Sequence, residues 1–228
     1  MICVDGALQA ADRALARLED LANQTGRAYD QVALSYCRGM VCGGQAKLDP
    51  TIAAALSTAL VTARNLARAS EVALFGLEVA ERLGHNVART ATTAALAAVR
   101  IAEGNHREAI RLASEARSAA NAYGHRGVEV GATRVLAQAF MAGNAGDLER
   151  PLYLLREAIE LGETIEAIPS VASCGLLLVA TLTKSGQRED ARKACKHLIG
   201  LTAQRDMPAQ TTRLRGLLAE LGGDAIPA

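Results

Sequence analysis

The reactive side chains of this sequence are few: His85, His106, His125 and His197, with Cys3, Cys37, Cys42, Cys174 and Cys195. Glu103 and His106 have the Glu-x-x-His spacing of di-iron bundles, which need that motif on two helices with further glutamates facing it. Here it occurs once and straddles Gly104, so it reads as turn chemistry. Cys37 and Cys42 fit neither C-x-x-C nor a zinc knuckle. A phosphate loop needs G-x-x-x-x-G-K-[ST] after a strand. The nearest stretch, Gly39 to Lys47, lacks the spacing, the hydroxyl and the strand. His85 and His125 each follow a glycine at matching points, which favours a structural place in the turn, touching the last carbonyls of the helix before it. His106 and His197 have no recognisable partner, and no acid/base pair can be assembled. The sequence therefore argues against an enzyme, with no metal and no cofactor expected. An all-α enzyme with an unrecognised active site is the alternative.

The elements that would position any site are helical. Half of the residues are hydrophobic but only 3% are aromatic, so alanine and leucine carry the core. Alanine forms helices best because it loses no side-chain entropy. Prolines are rare and β-branched runs are missing. The formal net charge is +1, from 25 basic and 24 acidic residues that are interspersed. No Lys/Arg stripe offers a landing site for nucleic acid, and binding to a membrane surface is disfavoured for the same reason. The longest uncharged stretch, Ala167 to Thr183, is shorter than the roughly 20 residues of a spanning helix and contains Pro169, Ser170, Ser173 and Gly175. It reads as a packed core helix. The opening MICVDGALQAADR lacks the features of a signal peptide. The odd cysteine count fits reduced thiols in a cytoplasm.

Repeats organise the chain. Gly84-His85 returns as Gly124-His125, and Gly104, Gly146 and Gly186 each stand between two apolar helical stretches. Within one unit, Ala109, Ile110, Ala113, Ala116, Ala119, Ala120 and Tyr123 fall at helical spacing, with Arg107, Glu108, Arg111, Glu115 and Arg117 on the other faces. Similar patterns place helices near 4–23, 28–43, 50–66, 69–83, 86–103, 106–123, 127–143, 148–161, 168–184, 188–203 and 207–221. One domain spans 1–228, with 221–228 expected as a frayed tail.

The turn carries a resemblance. Gly104, Ala109 and Ala116 match the glycine, small residue and small residue of the tetratricopeptide repeat, preceded by Leu96-Ala97. Gly146, Pro151 and Ala158 follow, then Gly186, Ala191 and Leu198. The period is near 40 rather than about 34, the usual tryptophan and proline are missing, and Pro151 and Leu198 break the small-residue rule. Long repeats of this kind resemble the helical regions of bacterial signal-transduction ATPases, LuxR-type transcriptional regulators and some adenylate cyclases. The resemblance covers Leu66 to Ala203 best. It implies an all-α, right-handed superhelical solenoid of antiparallel helix pairs, about 11 helices in all.

A solenoid of this type implies a concave groove lined by the first helix of each hairpin. Arg89 and Arg100 lie on one such helix, and Glu129, Arg134 and Gln138 on the next. Arg100 and Arg134 are expected to face one channel and grip a carboxylate, with Gln138 orienting it. The implied function is a scaffold for a protein or peptide partner, or for a small acidic effector, in a bacterial regulatory or signalling system. Self-association is compatible with the sequence.

Overall fold

The computed structural model describes residues 64–144 and 146–222, together with Ala54, Ser57, Thr58, Leu60 and Val61. Eight helices fill these residues: α1 Leu66–Arg82, α2 Asn86–Ala102, α3 His106–Ala122, α4 Arg126–Gly143, α5 Glu149–Thr164, α6 Ile168–Lys184, α7 Arg188–Gln204 and α8 Pro208–Glu220. Among the described residues there is no strand. Of the roughly 11 helices expected, those near 4–23 and 28–43 lie outside the described residues. So do residues 223–228 of the expected tail.

One boundary differs from expectation. Leu66, expected at the end of a helix over 50–66, instead begins α1. Arg64 turns the chain with φ +57°, and the Asn65 side chain accepts a hydrogen bond from the Arg68 N–H. That cap satisfies a donor left open at the helix start, so α1 begins before the expected residue 69. Leu221 and Gly222 are not frayed either. Leu221 is buried, and the Arg192 guanidinium donates to the carbonyls of Leu221 (2.8 Å) and Gly222 (3.0 Å).

One turn type recurs between helices. Gly84, Gly104, Gly124 and Gly186 take positive φ, and the next residue's N–H reaches back into the helix, as His85 does to Ala80 (2.9 Å) and His125 to Ala120 (2.8 Å). Glycine enters that left-handed conformation without steric cost. Glu166 and Asp206 occupy it at φ +56° and +50° without that freedom. The turn over 144–147 is different. His85 and His125 are 40 residues apart but Gly104 and Gly146 are 42 apart, so this hairpin turn is two residues longer.

Consecutive helices pack side by side along the whole array. The core is small and dense. Ala109 and Ala116 are buried as expected, and Ala116 clusters with Ala94 of α2 and Ala132 of α4. Alanines at such crossings let three helices approach closely. Pro151 fits the same pattern for a local reason: it lies in the first turn of α5, where no intrahelical N–H partner is lost. The uncharged helix α6 is packed into the core, and no described helix is long and apolar enough to cross a membrane.

Candidate binding groove

The first helix of each hairpin forms an inner layer. α2 packs on α4 and α4 on α6, in addition to their sequence neighbours. The outer helices α3 and α5 are bridged by side chains, Arg117 to Glu157. A layer whose helices touch, backed by one whose helices are spread, is concave on the touching side.

Each inner helix leaves one stripe uncovered. On α4 the stripe is Gly127, Gly131, Arg134, Gln138 and Met141, spaced by four and three residues as one helix face requires. On α2 it runs through Val87, Ala91, Ala98 and Ile101, and on α6 through Ser173, Leu176, Ala180 and Thr183. The floor is therefore made of small and apolar residues, with Arg134 and Gln138 at its centre. Arg134 Nη1 donates to Gln138 Oε1 at 3.1 Å, and this is its one hydrogen bond among the described residues. It makes no ion pair there. Its charge also reaches Cys174 of α6: burial pushes that thiol up to about 11, and Arg134 opposes the rise.

The other expected residues turn elsewhere. Arg100 pairs with Glu103 and donates to Ser70 Oγ of α1 at 3.3 Å. It stands at the repeat position of Phe140, 40 residues on, whereas Arg134 stands at that of Ala94. Those positions differ by about 120° around the helix, so Arg100 and Arg134 do not face one channel. Arg89 and Glu129, again 40 apart, share the face turned from the groove. Arg89 Nη2 approaches the Tyr123 hydroxyl (3.4 Å), and Glu129 is buried between Asn121 (2.9 Å) and Arg126 (3.1 Å). Of the five residues, the structure brings together Arg134 and Gln138.

The histidines acquire roles. His85 Nδ1 accepts from the Ala88 N–H at 3.2 Å, so it caps the helix that follows rather than the carbonyls of the one before. His125 caps α4 in position but without that side-chain bond. His197, without a partner in the sequence, lies 2.7 Å from Glu163 of α5. Glu103 is engaged by Arg100, not by His106. Among the described residues, no three His, Cys, Asp or Glu side chains gather as a metal site. Cys37, Cys42 and the stretch Gly39 to Lys47 lie outside the described residues.

The groove residues Ala91, Ala98, Ile101 and Met141 were not singled out from the sequence. The signal existed in the paired offsets of 40 and 42, which align α2 with α4 residue by residue once the longer turn is allowed for.

No family model matches the chain, and no curated protein matches it. Solved structures do. The nearly identical TPR-like repeats of a kinesin-light-chain-type protein from Podosopora anserina, seen in two crystal structures, superpose with TM-scores of 0.59 and 0.58 at 16% identity, covering 77% of this chain and 87% of that one. BtubC (BKLC) from P. vanneervenii superposes with a TM-score of 0.63 at 15% identity, over 96% of this chain and 82% of the other. At such identities the likeness is one of fold: an all-helical, TPR-like repeat array.

Proposed function

We propose that this chain is a non-catalytic interaction scaffold, a right-handed superhelical array whose inner groove takes a peptide segment of a partner protein through a carboxylate seated on Arg134. The observation that carries the reading is the isolation of that charge. Arg100, Arg117 and Arg126 each have a carboxylate partner, while half-buried Arg134 has only the Gln138 amide. The uncovered stripes of α2, α4 and α6 hold no Asp or Glu. A guanidinium carries five donors in a planar fork that matches a carboxylate bidentately. A small acidic effector would meet the same chemistry. A cytoplasmic bacterial regulatory or signalling setting belongs to this reading and rests on the resemblance of the long repeats.

The test is to co-purify the chain from its native host, identify bound proteins and small molecules by mass spectrometry, and measure the binder by calorimetry. Arg134→Ala should weaken binding about tenfold, about 1.4 kcal/mol. Arg100→Ala, on the other face, should leave it unchanged. A loss below about 0.5 kcal/mol in Arg134→Ala, the range of neutral surface changes, rejects the groove.

A further inference from the structure

Away from the groove, three of the six large apolar side chains exposed among the described residues share one repeated position. Leu83, Tyr123 and Ile165 are the residues at which α1, α3 and α5 end, and they are 60%, 46% and 36% exposed. Each immediately precedes the left-handed residue of its turn, Gly84, Gly124 or Glu166. The fourth such position is Arg205, which ends α7 and binds Glu166 at 2.9 Å. At the opposite edge, α2, α4 and α6 end on Glu103, Asn144 and Ser185, all polar. The turns do not require apolar residues there. Their hydrogen bonds run between backbone groups, which any side chain at that position allows.

The three side chains form a ladder along one edge of the array, and its geometry specifies what fits. Successive inner helices α2, α4 and α6 are in contact, and packed helices stand about 8–10 Å apart. An extended chain advances about 3.3 Å per residue, so its every third side chain meets a rung. The charge near the first two rungs is positive. Arg89 touches the Tyr123 hydroxyl but makes no ion pair among the described residues. α2 and α6 have no acidic residue in their first turns, and Glu129 of α4 is engaged by Arg126 and Asn121.

We propose that the edge formed by Leu83, Tyr123 and Ile165, with Arg89 beside it, docks an extended segment of a partner protein that carries an apolar side chain at every third residue and acidic residues between. The site is separate from the groove at Arg134, so each can fail without the other.

The probe is a fluorescein-labelled peptide of sequence Leu-Asp-Ser-Leu-Asp-Ser-Leu, read by fluorescence polarisation against the full chain. The control peptide has the same composition with its three leucines adjacent. The periodic peptide should bind at least tenfold more tightly than the control. The triple variant Leu83→Ser, Tyr123→Ser, Ile165→Ser should lose that preference, Arg89→Ala should weaken binding severalfold, and Arg134→Ala should leave it unaltered. All three rungs are exposed, so the triple variant should keep its helical circular dichroism. If it does not, the single variant Leu83→Ser takes its place and should lower affinity at least threefold. Equal binding of the two peptides, or full binding by the variants, overturns the proposal. So does sedimentation showing that the ladder residues instead join two copies of the chain.

Discussion

Gly175 of α6 and Leu198 of α7 fill one crossing between them: a Cβ on Gly175 would lie 2.3 Å from Leu198 Cδ1 and 3.0 Å from its Cγ. Leu198 is buried, so it has no room to yield. The equivalent position in the first full hairpin is Ala116, facing a residue that is not glycine. Size has moved from one helix to the other with the crossing kept full. Gly175→Ala gains about 1 kcal/mol of helix propensity, but overpacking costs about 1–3 kcal/mol, so urea denaturation should show a net loss. Leu198→Ala should cost about 2–5 kcal/mol through its cavity. The double variant should be more stable than Leu198→Ala alone. Strict additivity would show that the two side chains are not coupled.

Ala109 and Ala116 are both buried on α3 at the crossing with the inner helices. Ala109→Leu or Ala116→Leu should each lower stability by about 1–3 kcal/mol, seen as a lower thermal midpoint. A melt identical to the parent would contradict their placement.

Asp206 holds a left-handed conformation at φ +50°, is exposed, and its side chain makes no hydrogen bond among the described residues. Asp206→Gly should relieve that cost, less the entropy that glycine adds to the unfolded chain, for a net gain of about 0.5 kcal/mol. Gly124→Ala, at φ +69° with open space around it, should lose about 1 kcal/mol for the converse reason. Both are read from the midpoint in urea at unchanged slope.

The thiols of Cys174 and Cys195 are buried and pushed up to about 11 from an ordinary 9.0. The native protein should therefore resist a thiol reagent at pH 8 at these two sites and react once unfolded. The raised values set the sign of the linkage. Their contribution to stability is full below pH 9 and declines as the pH rises towards 11. Mass spectrometry of alkylated peptides under native and denaturing conditions checks the first statement, and denaturation at pH 8 and 10.5 checks the second.

The helices from α2 to α8 were legible because alanine-rich stripes and Gly-centred turns repeat at a nearly constant interval. The boundary at Arg64–Asn65 was hidden because no glycine marks it: an arginine takes the turn and an asparagine caps the next helix. Arg134 and Gln138 were found together because they are four residues apart on one helix. Arg100 was wrongly joined to them because sequence spacing alone does not give the phase between two helices. That phase is fixed by the alignment of His85 with His125, and the two extra residues near Gly146 obscured it. Leu198 looked like a violation of the small-residue rule until Gly175, on the facing helix, explained it.

The clamp of Arg192 on the carbonyls of Leu221 and Gly222 has a consequence for how the array comes apart. In a linear stack each unit is held only by its neighbours, so melting propagates inward from an open end. α8 is that end in the described array, and its last turn would otherwise expose four unpaired carbonyls. The guanidinium of the preceding helix supplies donors there and ties the terminal helix to the one before it. Amide protons of α8 should therefore exchange with solvent in step with those of α7, as one cooperative unit, and the array ends on a bolted segment rather than a loose one.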